Sequence, residues 1–477
     1  MRQQVMHSLR WTLFGRFSVQ VLSWVSTLIV IRLLSPGDYG LVAMATMVIG
    51  FSALFSELGM GAVLIQQENI DDLLIRRVFG IGLIINFLLF LILTSFAPAI
   101  ADFFDEKRLS NVIQVQSLSF LISAFGIVPS SLLTRNMEFR KKAFANITNG
   151  LTASLLTLCL ALADMGFWAL VLGSLGGGVV YTIVQVIALG RWYWPCFSLR
   201  GTRQLVSFGG IVSLFRTLWY LYSQADIFII GKLLGKEMLG IYSVAMDIAT
   251  LPMQKVAGIF NEVGFAAYSK GQREEGDISS YFLTSARYLS MVGFPIFWGI
   301  SSIAGEITQV ILGATWVNAE IPIKLLSLVV PLRMLSNVTT PALMGIGMLW
   351  PIVQNTLVGC IIMPLALLAG APWGINGVAT AWIIAYPIFF LLTITRALPF
   401  IKLRISDYLM VLTKPAIASM AMYLIVELAR LGPIKFLSGT VWGLVALVIL
   451  GASVYVVFMW TFDRTACMNF LKLVRGN

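Results

Sequence analysis

The chain has 477 residues, 58% of them hydrophobic and only 12% charged, with a mean hydropathy of +0.88. A water-soluble domain carries roughly 25% charged residues, so this composition excludes a soluble globule of the same length and points to many membrane spans rather than one anchor. The net charge of +11 is read as cytoplasmic loops facing anionic lipid, not as a nucleic-acid surface.

Apolar runs of about 20 residues recur from end to end. Spans are expected at about 10–34, 40–64, 78–100, 112–133, 143–163, 167–189, 205–230, 239–262, 281–303, 320–345, 350–371, 375–396, 409–428 and 438–461. The first run, Trp11 to Leu34, is too long for the core of a cleaved signal peptide and lacks a small-residue cleavage site. Turn chemistry separates the runs, as at Ser35-Pro36-Gly37-Asp38, Asp102 to Arg108, Arg135 to Lys142 and Ser269 to Asp277. The intervening loops are too short for a soluble domain, and no Gly-x-x-x-x-Gly-Lys-Ser/Thr loop is present to drive transport with ATP. With the N-terminus inside, cytoplasmic segments hold about 19 of the 33 Lys and Arg, and the opposite loops about six. Both termini are therefore expected in the cytoplasm.

The expected fold is an all-α membrane protein of about fourteen transmembrane helices. Six form an N-terminal lobe (1–204), six a C-terminal lobe (205–408), and two more occupy 409–477 with a cytoplasmic tail. The lobes are read from an internal repeat. Leu33-Leu34, Gly40-Leu41 and Ala45 recur as Leu233-Leu234, Gly240-Ile241 and Ala245, a shift of 200, and Pro129 and Gly166 match Pro341 and Gly374 at shifts of 212 and 208. Both units start on the same side, which makes the repeats parallel, and two such lobes are the architecture of alternating access.

Charges inside the spans carry the functional reading, because each costs about 2.5–3.5 kcal/mol at the bilayer centre on insertion scales. Arg16 and Arg216 match under the shift of 200, and each heads a polar stripe at helical spacing: Arg16, Gln20, Ser23 and Thr27 on the first span, and Arg216, Tyr220 and Ser223 on the seventh. Arg333 lies deeper, followed by Asn337 and Thr340. Three guanidiniums facing one cavity would form a diphosphate site, since the planar fork bonds phosphate oxygens bidentately and stays ionised. Arg32, Arg287, Lys324 and Lys414 sit near span ends and are read as snorkelling to the interface. Glu57 and Asp226 can take up H+ or Na+ in a coupled transporter; either can equally neutralise a nearby arginine. Lys255 and Glu262 share a face of span eight as a structural pair. Pro252, Pro295, Pro331, Pro341 and Pro387 are expected to bend their helices. The Gly-x-x-x-Gly spacing within Gly173 to Gly178 reads as close helix packing. The four cysteines are too scattered for a metal or disulfide, and with His7 the single histidine, no zinc site, Ser-His-Asp arrangement, enzyme activity or cofactor is expected.

Three stretches together resemble the polysaccharide transporter family: Arg32-Leu-Leu-Ser-Pro-Gly-Asp-Tyr-Gly-Leu41; Asp226 with Gly231 to Gly235 and Leu239 to Ala245; and Gly313-Ala-Thr-Trp316. That family comprises the Wzx-like flippases of the multidrug/oligosaccharidyl-lipid/polysaccharide exporter superfamily. The resemblance implies an undecaprenyl-diphosphate-linked oligosaccharide as substrate, turned from the inner to the outer leaflet of the bacterial plasma membrane for exopolysaccharide, O-antigen or capsule synthesis. It also implies membrane lipids as partners, with a polysaccharide polymerase and chain-length or export proteins, and no nucleic acid. A multidrug or metabolite exporter of the same superfamily is the alternative.

Overall fold

The computed structural model describes residues 23–56, 60–67, 70–198, 216–253, 278–432, 437 and 439–475, and these are helical with short connections. The chain divides into two compact units, Met1–Gly240 and Ile241–Asn477.

In the first unit, α1 (Ser23–Leu33) gives way to α2 (Pro36–Ala53) with a change of direction of 118°. Local chemistry dictates this turn. Ser35 caps α2: its Oγ accepts the Asp38 N–H at 3.2 Å, and the Asp38 carboxylate accepts the Ser35 N–H at 3.0 Å. Pro36, the first helical residue, has no N–H to leave unsatisfied. The turn expected at Ser35 to Asp38 is therefore a capping box. After α3 (Met60–Gln66) come α4 (Asp72–Phe103), α5 (Arg108–Arg135), α6 (Phe139–Leu162) and α7 (Phe167–Leu189). Asp71 caps α4 by accepting the Leu74 N–H at 2.8 Å. The short links make α4, α5, α6 and α7 alternate in direction, so α5 and α7 run the same way. Helix α5 is central and packs on α2, α3, α4, α6 and α7. Its last residue, Arg135, donates to the carbonyls of Leu64 (3.0 Å) and Gln67 (2.6 Å), satisfying acceptors at the end of α3. Gly173 and Gly177 of α7 face α6. A Cβ at Gly173 would meet Thr157 Oγ1, and one at Gly177 would stand 2.8 Å from the Ala153 Cβ, which is the close packing the glycine spacing announces.

Helices α8 (216–223), α9 (Ala225–Leu233) and α10 (235–253) follow. Residues up to Gly240 pack within the first unit. Tyr220 Oη donates to the Met47 carbonyl at 2.8 Å, Lys232 pairs with Asp105 at 2.7 Å, and Lys236 pairs with Glu106 at 2.6 Å. Gly40 and Gly240, matched by the 200-residue shift, touch each other symmetrically. A Cβ on Gly40 would run into the Lys236 carbonyl, and one on Gly240 into the Pro36 carbonyl. Pro36 and Lys236 are related by the same shift.

In the second unit, α11 (Ile278–Ser302) turns through 61° into α12 (Ala304–Leu312), whose last turn is π-helical. The bend lies at Ile303, not at Pro295, and Pro295, Pro331, Pro341 and Pro387 all stand inside continuing helices. A 3₁₀ segment (Ala314–Ala319) leads to α13 (Glu320–Gly345), then α14 (Trp350–Gly370), α15 (Gly374–Ala397), α16 (Ile405–Leu431), α17 (Val441–Phe462) and the short α18 (Arg464–Arg475). Helix α11 packs between α13 and α16, α15 packs on α13 and α14, and α17 packs on α16.

A charge cluster joins α12, α13 and α16. Lys324 Nζ is 2.5 Å from Glu427, Arg430 is 3.1 Å from Glu427 and 3.7 Å from Glu320, and Arg430 Nη1 is 3.8 Å from Glu306, which is buried. Lys324 is therefore paired rather than snorkelling. Lys414 likewise reaches Asp463 at 3.1 Å. The cause is tertiary: α16 brings Glu427 to Lys324 across 103 residues of sequence, and the end of α17 brings Asp463 to Lys414 across 49.

Large apolar side chains cover the outside, among them Phe87, Leu91 and Phe96 on α4 and Trp442, Ile449 and Val456 on α17. In water such continuous patches would drive aggregation; in a bilayer they are the lipid face. Among the described residues eight stretches are long and apolar enough to cross a membrane, or ten if each bent pair is one span. One of the eight, Trp350–Ile401, contains both α14 and α15. Parts of the first, second, seventh and eighth expected spans, with Lys255 and Glu262, lie outside the described residues. All four cysteines are free.

Two outcomes follow for stability. Gly240→Val should lower the thermal midpoint of the purified protein in detergent, because overpacking at a close backbone contact costs about 1–3 kcal/mol. Gly150→Ala, where a Cβ meets nothing within 4 Å, should leave the midpoint unchanged or slightly raised. In a double-mutant cycle, Lys324→Met and Glu427→Gln should couple by about 0.5–3 kcal/mol, measured by the same unfolding assay.

Candidate functional site

The second unit presents an arginine on an aromatic wall. Arg333, on the fourth turn of α13, is half-buried, and its guanidinium carbon lies 4.7 Å from the centre of the Trp382 ring on α15. Nη1 contacts the Met246 sulfur of α10 at 3.3 Å. Hydrogen bonds hold the wall in place: Trp382 Nε1 donates to Tyr242 Oη at 2.8 Å, and Tyr386 Oη pairs with Ser336 Oγ at 3.1 Å. Among the described residues no carboxylate lies within ion-pair distance of Arg333. Its neighbours are a π face and a thioether, both weak partners. A guanidinium so placed keeps most of its fork free for oxyanions.

The first unit contains a cavity of about 460 Å³ between α2, α5 and α7. Its described lining carries no charged side chain. Helix α5 contributes Gln116, Ser119, Ser123 and Ser130, at i, i+3, i+7 and i+14; α7 contributes Ser174, Tyr181, Thr182 and Gln185, at i, i+7, i+8 and i+11. Each set forms one face of its helix. Some hydroxyls are met by backbone, Ser174 Oγ on the Val171 carbonyl (2.8 Å), Ser123 Oγ on the Phe120 carbonyl (3.1 Å) and Thr182 Oγ1 on the Ile122 carbonyl of α5 (3.4 Å). The amides are not. Gln185 is 0% exposed, and neither its oxygen nor its nitrogen has a hydrogen-bond partner; the Gln116 oxygen, on a residue 7% exposed, also has none. Each such buried group costs about 1–3 kcal/mol while unmet. The cavity begins seven residues into α7 and eight into α5, about 10–12 Å along each axis at 1.5 Å per residue.

The expected site residues fall as follows. Arg16, Gln20 and Glu57 lie outside the described residues. Arg216 is exposed at the start of α8 in the first unit, and Arg333 belongs to the second. Tyr220 and Ser223 are tied to backbone, Tyr220 to Met47 and Ser223 Oγ to the Tyr220 carbonyl at 3.0 Å. Thr27 Oγ1 donates to the Ser23 carbonyl at 2.8 Å, and Ser23 Oγ accepts from Ser154 of α6 at 3.2 Å. Asn337 is half-buried one turn after Arg333. Asp226 is buried in the first turn of α9, and its Oδ1 accepts the Ile227 N–H at 2.9 Å. Sequence reading missed Gln116 and Gln185. The signal was present, as glutamines at helical register with serines in otherwise apolar runs, but it was weighed only for charges.

The family model described as polysaccharide biosynthesis protein matches residues 29–322, more than half of the chain. The chain belongs to that family. Its relatives include the teichuronic acid biosynthesis protein TuaB of Bacillus subtilis, 25% identical over 89% of this chain and 88% of that protein. The succinoglycan biosynthesis transport protein ExoT of Rhizobium meliloti is 25% identical over 99% of this chain and 96% of that protein. The lipopolysaccharide biosynthesis protein WzxC of Escherichia coli is 22% identical over 71% and 69%. Among solved structures, the lipid II flippase MurJ in an inward closed conformation superposes with a TM-score of 0.76 at 15% identity, covering 94% of this chain and 98% of that one. An inward-facing multidrug resistance MATE transporter of the MOP superfamily superposes with a TM-score of 0.61 at 17% identity, covering 82% and 98%. The protein thus has the MurJ and MATE fold and is a multi-pass membrane protein.

The two arginines should differ in weight. Arg333→Gln is expected to weaken binding of undecaprenyl diphosphate about tenfold or more, a loss of about 1.4 kcal/mol. Arg216→Gln should change it less than about threefold, because its side chain is exposed and, among the described residues, rests on no aromatic wall like that of Arg333. Native mass spectrometry of the purified protein measures both.

Proposed function

We propose that this protein is a flippase for an undecaprenyl-diphosphate-linked oligosaccharide, moving it from the inner to the outer leaflet of the bacterial plasma membrane by alternating access. The observation that carries the reading is Arg333, a half-buried guanidinium on Trp382 with no carboxylate beside it among the described residues. An organic-cation exporter needs acids or bare aromatic faces at such a place; a guanidinium there repels its cargo and attracts a diphosphate. The family and the biosynthetic names of its members support the same cargo. The oligosaccharide leaves chemically unchanged, so no catalytic residue is required. Membrane lipids surround the protein, and a polysaccharide polymerase with chain-length or export proteins receives the product. Coupling to H+ or Na+ through Asp226 or Glu57 completes the proposal.

Deleting the gene should make lipid-linked repeat units accumulate on the cytoplasmic leaflet and should abolish the polymer, measured by periodate labelling of everted and right-side-out vesicles. Wild-type protein should restore export and Arg333→Ala should restore about a tenth of it or less. Normal polymer in the deletion strain, together with saturable uptake of an organic cation by the purified protein that Arg333→Ala leaves intact, would establish the exporter instead.

A further inference from the structure

The described lining of the first unit's cavity carries no charge, and its chemistry fits a portion of the cargo other than the diphosphate. We propose that it is a saccharide subsite, in which Gln116 and Gln185 recognise hydroxyl groups of one sugar of the repeat unit and select the glycan. This rests on the flippase reading and adds to it a place for the sugar, on different helices from Arg333.

The unmet amides point to a ligand. Gln185 and Gln116 both line the cavity; among the described residues Gln185, fully buried, has no partner for either polar atom, and Gln116 has none for its buried oxygen. A primary amide offers two donors and two acceptor lone pairs. A sugar hydroxyl both donates and accepts, so one hydroxyl can satisfy either end of an amide, and vicinal hydroxyls can satisfy both. A metal ion or phosphate would call for formal charge, and the described lining has none. An apolar tail would leave the amides unmet. Apolar wall is present as well, from Ile49, Ile122 and Leu175, and suits the C–H face of a pyranose. The volume, about 460 Å³, falls in the range of small-ligand pockets, roughly 300–1,000 Å³.

Two glycines keep the space open. A Cβ on Gly126 would stand in van der Waals contact with the Gln185 oxygen (3.7 Å) and Thr182 Oγ1 (3.5 Å), taking up space beside the amide. Gly178 lines the cavity from α7, and a Cβ there meets nothing within 4 Å. Unlike Gly173 and Gly177, it has no helix against it, so packing does not explain its lack of a side chain.

The test uses full-length protein in nanodiscs and two probes: undecaprenyl diphosphate, and the lipid-linked oligosaccharide extracted from membranes of the deletion strain. Wild-type protein is expected to bind the glycosylated lipid about tenfold or more tighter than the bare carrier, the discrimination expected when buried polar groups lose their partners. Gln185→Leu and Gln116→Leu should bring that ratio close to one. Gly178→Leu, which fills the cavity from a helical position and leaves both glutamines in place, should do the same at an unchanged thermal midpoint, and it decides the matter if the glutamine variants fail to fold. Arg333→Ala should weaken both lipids and keep the ratio. Equal wild-type affinity for the two probes, or a full ratio in folded Gly178→Leu, overturns the subsite while the flippase reading stands. Wild-type protein that binds neither lipid overturns both.

Discussion

Hydrocarbon offers no hydrogen bonds, so every polar group within the bilayer must find its partner inside the protein or in something the protein carries. Most of this structure obeys that constraint visibly. Serine and threonine hydroxyls fold back on their own helices, as Thr27 does on Ser23 and Ser131 on Ile127. Ser26 reaches the Ser154 carbonyl across two helices at 2.9 Å, and Asn86 donates to the Ser56 carbonyl at 3.2 Å. The buried groups that break the rule include Gln185 and Gln116 beside the first unit's cavity, and Ser327, Ser419 and Glu306 in the second unit.

The charged groups divide on the same principle. Lys324 and Arg430 both pair closely with Glu427, and Glu320 and Glu306 stand 3.7 and 3.8 Å from Arg430 where α12, α13 and α16 meet. Such a cluster holds helices in register, since removing one member strands the others. Arg333 has no such enclosure. Its guanidinium lies on Trp382, whose ring is itself anchored through Tyr242. The first arrangement is closed and structural; the second holds a charge ready for a partner from outside. Gln185 is the neutral counterpart in the other unit, an amide held in place with nothing to bind.

Close backbone contacts supply the rigidity that polar clusters alone cannot. The Gly173 and Gly177 face of α7 lets α6 approach. The Gly40 and Gly240 crossing brings two equivalent turns of the repeat together with the Pro36 and Lys236 carbonyls against them. Any side chain at that crossing would separate the helices, which is why the smallest residue recurs there at a spacing of 200.

The amino-acid sequence by itself determined the environment, the helical character and the family, because each depends on properties summed along the chain. Hydropathy runs set the spans, the turn chemistry at Ser35 to Asp38 marks a break that the structure keeps as a helix cap, and the motifs from Arg32 to Leu41 and from Leu239 to Ala245 carry the family likeness. The tertiary structure decided which polar residues are satisfied, because partners come from helices far apart in the chain. Lys324 and Lys414 look like snorkelling residues until Glu427 and Asp463 arrive beside them. The hydroxyls of Tyr220 and Ser223 find backbone partners, Tyr220 on α2 and Ser223 within its own helix. Gln116 and Gln185 look unremarkable until α5 and α7 place them around one space with no partner for either amide. A single helix shows which face is polar; only the packing of several shows whether that face is already answered or waits for a ligand.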